Sequence, residues 1–262
     1  VPSPGILGVR ELYRYRDLIK TLVARDLKVR YRRSAIGFLW TMLHPLIMML
    51  ALTFVFSHLF RTNLPNFPVY ALVGIVFWNF FSQAIVASMN SLRGNAVLLT
   101  KLPVPKAVFP VAVVCGGLVN LLCAMVPLFL IMFLTGHPIG PSVAVVPVAI
   151  VLAACFTLGA GMLLAPLAAF FVDTVELVAI VLTILFYLTP VFYPVSIVPP
   201  DLRWVVAANP VHWVLDVFRV PIYDGTLPSL LTFAVGAGIA LVFLVVGATV
   251  FRGTSHRIAF YV

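Results

Sequence analysis

The densest charge in the chain is the run Arg25, Lys28, Arg30, Arg32 and Arg33. Guanidinium groups offer planar, paired donors, so the chemistry open to such a run is the holding of phosphate oxygens. Groups that would do acid–base work are not gathered. His44, His58 and His137 fall in separate stretches, and Asp173 and Glu176 stand alone. An enzyme at a membrane face needs such groups to converge on one reacting atom. Cys115, Cys123 and Cys155 sit inside apolar runs without metal-ligand spacing and read as small core residues. The sequence holds no G-x-x-x-x-G-K-[S/T] loop and no other nucleotide cradle. Any work done by this chain is driven from another chain or from a gradient.

The basic run belongs to an amphipathic segment, Tyr13–Ser34, that leads straight into an uncharged apolar stretch, Ala35–Leu59. Charge stops at Arg33 and does not return until Arg61. At about 1.5 Å per residue that stretch is long enough for a hydrocarbon core of about 30 Å. The whole chain follows suit: 262 residues, 63% hydrophobic and 10% charged, with a mean hydropathy of +1.14. A soluble domain has no use for so much apolar surface, and the excess faces lipid. The pI of about 9.9 does not point to nucleic acid, because the cations cluster beside apolar spans and face headgroups. No short apolar leader with a small-residue cleavage site is read at the start.

The expected fold is an all-α integral membrane protein, one transmembrane domain over residues 1–262. Six spans are predicted at 35–59, 69–90, 108–135, 142–171, 176–193 and 228–251. An N-terminal amphipathic interface helix occupies 10–34, with Leu12, Tyr15, Ile19, Leu22 and Val23 on one face. With the N-terminus in the cytoplasm, all Lys and Arg except Arg61, Arg203 and Arg219 fall on the cytoplasmic side, and the C-terminus lies there too. The loop 91–107 carries a short helix from Asn95 to Lys101 with an apolar tip (Val97, Leu98, Leu99), ended by Pro103 and Pro105. Such a tip suits a groove on a soluble partner, or it rests on lipid. Residues 194–227 hold two short amphipathic pieces split at Asn209–Pro210, too short to cross and too apolar for a free loop. They are expected to dip into the outer leaflet and return. Pro110, Pro127, Pro147 and Pro166, with Gly116, Gly117, Gly159 and Gly161, permit kinks and close helix approach. Asp173 and Glu176 stay in cytoplasmic water or pair with the basic helix of this or a second copy. Phe77, Trp78 and Phe81 crowd the second span. They are either lipid-facing filler or a lining on which sugar rings stack.

The stretch from Arg25 to Leu46, together with Val73–Phe81, Lys101–Pro110, Leu188–Pro194, Asn209–Pro210 and Asp216–Arg219, resembles the ABC exporter permeases for polysaccharide and polyol phosphate, whose members export O-antigen, capsule and teichoic acid. The resemblance runs through nearly the whole chain in order; the tail from Thr254 has fewer charges than the family and is given no role. It implies the transmembrane half of an exporter of a lipid-linked polysaccharide in the cytoplasmic (inner) membrane. A second copy of the chain would line one channel, and two copies of a separate ATPase subunit would carry ATP and Mg; no cofactor is expected in this chain. It further implies that Asn95, Val97, Leu98, Leu99, Lys101 and Pro103 form the ATPase-coupling helix, and that Arg25, Lys28, Arg30, Arg32 and Arg33 meet the lipid-pyrophosphate head. Phe77, Trp78, Phe81, Tyr187, Phe192 and Tyr193 would line the channel, and the two outer helices would gate its exit.

Other classes fit less well. An exporter permease for a drug or small lipid shares the layout. An intramembrane glycosyl or acyl transferase lacks convergent acid–base groups. A gradient-driven porter needs an ionisable group inside the bundle, and no predicted span carries a central Asp, Glu, Lys or Arg. His44, the nearest candidate, is expected to hydrogen-bond a carbonyl freed by Pro45.

Overall fold

A computed structural model describes residues 13–31, 37–58, 64–101 and 104–258. Among them it is helical, with no strand. The helices are α1 Arg16–Tyr31, α2 Trp40–His58, α3 Phe67–Ser91, α4 Ala96–Lys101, α5 Val108–Leu134, α6 Val146–Phe170, α7 Thr174–Leu188, α8 Arg203–Ala208, α9 Pro210–Tyr223 and α10 Leu230–Ile258. Phe67–Ser91, Val108–Leu134, Pro141–Phe170 and Leu230–Ser255 are long and apolar enough to cross a membrane; α2 and α7 are apolar but shorter.

Several boundaries differ from expectation for local reasons. The first apolar stretch becomes helix only at Trp40, after a 3-10 turn over Gly37–Leu39 that opens on Gly37 at φ 54°. The fifth segment starts at Thr174 and stops at Leu188, short of Tyr193. Pro190 disfavours a helical conformation at the residue before it, and Thr189 is extended at φ −88°, ψ 134°. The last helix runs on past Phe251 to Ile258. The outer pieces do split at Asn209, whose side-chain oxygen accepts from the Val211 amide at 3.0 Å and caps α9.

Helix α3 is the centre of the bundle. It packs against α2, α5, α6, α7 and α9, and Val69, Leu72, Val73, Phe77 and Met89 are wholly enclosed. Helices α6 and α10 form the most extensive pair. Their backbones touch at Gly159 and Gly247, where a Cβ on either would overlap the other helix's main chain. Helix α9 is no loose outer segment: Val211, Val214, Leu215, Val217, Phe218 and Ile222 are buried against α3, α6 and α10.

The N-terminal segment has its predicted apolar face, but that face is turned onto the protein. Leu22 is 3% exposed, and Tyr15, Leu18, Ile19 and Val23 pack with it on Phe109 and Ala112 of α5, Met162 of α6 and Phe251 of α10. Leu98, Leu99 and Val104 join the same cluster from the loop that holds α4.

Candidate functional site

At the end of the bundle that holds α4, two cations tie the α4 loop to helix C-termini, where carbonyls lack partners and the dipole favours positive charge. Arg93 donates to the Ala169 carbonyl of α6 at 3.3 Å, and Lys106 to the Ser255 carbonyl of α10. Burial pulls the Lys106 pKa below the ordinary lysine value. Asn95 donates to the Ser91 carbonyl at 2.8 Å and closes the turn that starts α4. The predicted tip residues then separate. Val97 is 63% exposed, whereas Leu98 and Leu99 are half-buried in the cluster with α1. Lys101 is exposed. Pro103 lies outside the described residues.

Of the basic run, Arg25 pairs with its neighbour Asp26 at 2.8 Å, and Lys28 is exposed. The Arg30 side chain, Arg32 and Arg33 lie outside the described residues, as does the His58 side chain. Asp173 and Glu176 are exposed and form no ion pair with α1 among the described residues.

Arg25 and Asp26 line a cavity of about 870 Å³ between α1, α2, α3 and α5. Its wall carries Thr41, His44, Asn79, Gln83 and Asn120 among small residues such as Ala84, Ala87, Gly116 and Gly117. A second cavity of about 570 Å³ lies between α2, α3 and α7, lined by Trp78, Ser82, Thr183, Phe186 and Tyr187 and sharing His44, Asn79 and Gln83. His44 Nδ1 faces the Asn79 amide at 3.4 Å rather than a carbonyl freed by Pro45.

The aromatic residues do not form one lining. Phe77 is wholly buried and Phe81 is 3% exposed. Phe81 stacks on Phe156 of α6 with centroids 5.1 Å apart, and Phe77 meets Phe218 of α9 at 5.8 Å. Both are core residues, held by helices of the same chain. Trp78 leans on Phe186 at 5.4 Å, and Tyr187 is 62% exposed at the edge of the second cavity. Phe192 and Tyr193 are half-buried; the Tyr193 hydroxyl donates to the Tyr187 carbonyl at 2.9 Å.

The opposite end, expected to face outward, is a polar knot that sequence reading missed. Arg219, expected in an outer loop, is 4% exposed. It donates to the Tyr70 hydroxyl at 2.6 Å and to the carbonyls of Pro190 at 2.7 Å and Val191 at 3.0 Å, and lies 4.2 Å above the Tyr70 ring. Tyr70 in turn donates to the Tyr193 carbonyl at 2.9 Å. Asn209 donates to Thr189 at 2.8 Å. Gly136, at φ 66°, ends α5 in a tight turn. That turn sets His137 between the Asn66 amide at 3.0 Å and the Tyr223 carbonyl at 2.8 Å. Burial raises the Asp224 pKa above the usual carboxylate range, with Arg219 partly offsetting it. The signal for this knot was available in the Thr-Pro, Asn-Pro and lone arginine of an apolar stretch, which require partners in a dry setting.

Residues 17–223 match the family model described as ABC-2 type transporter. The chain belongs to that family. As an ABC-2 type transporter it is similar to proteins named O-antigen export system permease protein RfbA. It is 33% identical to that of Myxococcus xanthus over 254 residues, 96% of this chain and 97% of the relative. It is 28% identical to one of Klebsiella pneumoniae over 250 residues, 93% of this chain and 94% of the relative. The Escherichia coli polysialic acid transport protein KpsM is 20% identical over 240 residues, 89% of this chain and 92% of the relative. The ABC-2 type transporter match takes in α1 from its second residue through the end of α9, and so includes the basic helix, the α4 loop, both cavities and the outer knot.

Proposed function

We propose that this chain is the membrane subunit of an ATP-driven exporter that carries a lipid-linked polysaccharide, of O-antigen or teichoic-acid type, out across the cytoplasmic membrane. The observation that carries the reading is the end-to-end likeness to an O-antigen export permease. In this reading α2 and α7 cross along with the four longer helices, so the chain has six spans with both termini in the cytoplasm. Helices α8 and α9 form the outer, non-crossing part. A second copy completes the channel. A separate ATPase, also in two copies, binds ATP and Mg and docks on Val97 at the tip of α4. Lys28, Arg25 and the cations that follow them meet the phosphates of the lipid carrier at the headgroup layer.

The work passes through contacts inside this chain. Leu98 and Leu99 share a cluster with α1, so a push on α4 moves α1, which stands over the larger cavity. Depleting the protein from its host tests the reading. Lipid-linked polymer is expected to accumulate inside the cell while monomer synthesis continues. Normal polymer at the surface of depleted cells would refute it.

A further inference from the structure

An apolar bundle keeps amides out of its middle unless something meets them. Asn79 stands at the midpoint of the 25-residue α3, and Asn120 close to that of the 27-residue α5. Gln83 lies one helical turn from Asn79 toward the α4 end, on the same face. A side-chain amide carries two donors and two acceptor sites, and in hydrocarbon each needs a partner. All three amides open on the 870 Å³ cavity. Gln83 is exposed there and has no hydrogen-bond partner among the described residues. Asn79 and Gln83 also form the wall of the 570 Å³ cavity with Ser82 and Thr183. The two hollows therefore share one polar stripe on α3, which His44 of α2 meets at Asn79, 3.4 Å away.

Resting on the exporter reading, we infer that this stripe, Asn79 and Gln83 with Asn120 opposite, is the track that hydrogen-bonds the hydroxyl groups of the glycan in transit. An acyl chain in the groove would leave the Gln83 amide unmet. Hydroxyls that both donate and accept, repeated along a sugar chain, match an amide's paired donor and acceptor. The groups are neutral, and each contact is individually weak. A moving polymer needs this, because every repeat must release what the next one takes up. The aromatic pair Phe77 and Phe81 lies behind the stripe in the core and holds α3 in place without touching cargo.

The test uses the full-length protein in its host. Gln83→Leu and Asn120→Leu keep the spans apolar; Gln83→Asn and Asn120→Gln keep the amide. Surface polymer is measured beside protein yield and assembly with the ATPase. Each leucine is expected to lower export about fivefold, the loss of one hydrogen bond, with the double variant lower still and the amide-for-amide variants retaining more export than the leucines. Export at the wild-type rate in the double leucine variant overturns the track. A second measurement does not depend on export. In a background without Cys115, Cys123 and Cys155, a thiol at Gln83→Cys is expected to react with a charged, membrane-impermeant maleimide at least about tenfold faster than one at Leu130→Cys, on the exposed side of α5. Equal rates mean that lipid fills the groove, and the inference fails. A wild-type protein that carries no polymer in the depletion experiment defeats the exporter reading instead, and the maleimide rates still report whether the groove is hydrophilic.

Discussion

Arg219 is a cation in a dry setting whose direct partners are a ring, a hydroxyl and two main-chain carbonyls. Only a planar fork meets all of them together, so lysine is no substitute. The knot also explains Gly74: a Cβ there would overlap the Val191 carbonyl that Arg219 holds. Removing the guanidinium leaves buried carbonyls without donors, each at a cost of about 1–3 kcal/mol. Arg219→Met is therefore expected to destabilise the protein by about 3 kcal/mol, and Tyr70→Phe by about 2 kcal/mol, since the lost hydroxyl accepts from Arg219 and donates to Tyr193 while the ring stays. Heat-induced aggregation in detergent, followed by size exclusion, reads both. An Arg219→Met protein with wild-type heat resistance would show that the knot does not hold the outer end together.

Element by element, α4 owes its place to α1. Its outward apolar residue among the described ones is Val97, because Leu98 and Leu99 are spent inside the chain. Val97→Asp is expected to abolish co-purification of the ATPase with heat resistance unchanged. Leu98→Asp is expected to weaken both, because it also puts a carboxylate into the cluster with Leu22 and Phe109. Retained co-purification in Val97→Asp would place the docking surface elsewhere. The α6–α10 contact makes a parallel case: Gly247→Val has no room beside Gly159 and is expected to separate the helices and lower yield severely. These elements differ in how far the sequence betrays them. Pro190 and the Asn209–Pro210 pair mark their breaks by chemistry that acts on the neighbouring backbone, so they are legible residue by residue. The short α4 was legible for the same reason. The facing of α3 was not. Its residues are apolar nearly all round, so nothing local says that Phe77 and Phe81 look inward while Gln83 looks into a groove. Packing of α5, α6 and α9 decides it, over distances that periodicity does not reach.

At the scale of the molecule, burial is uneven in a way that calls for a second surface. The apolar window of α3 is 78% buried, while that of α10 is only 17% buried. Lipid is a sufficient partner for a helix as long as α10. It is a poor one for α7, whose 15 residues rise about 22 Å, less than the roughly 30 Å of a hydrocarbon core. Leu177, Ile180, Val181, Ile184 and Leu188 are all exposed on α7, which packs chiefly on α3 and slightly on α6. A short helix with that much open apolar face fits against another protein surface beside a hollow, and the 570 Å³ cavity adjoins it. In a background without the native cysteines, Ile184→Cys is expected to cross-link two copies on mild oxidation, giving a band at twice 28.7 kDa. Leu241→Cys on the exposed face of α10 is expected to stay single. The reverse pattern would set the second copy against α10 and leave α7 to lipid; that would also separate the amide groove from the seam between copies. The position of one disulfide thus decides whether both grooves open on a common path or each chain keeps its own.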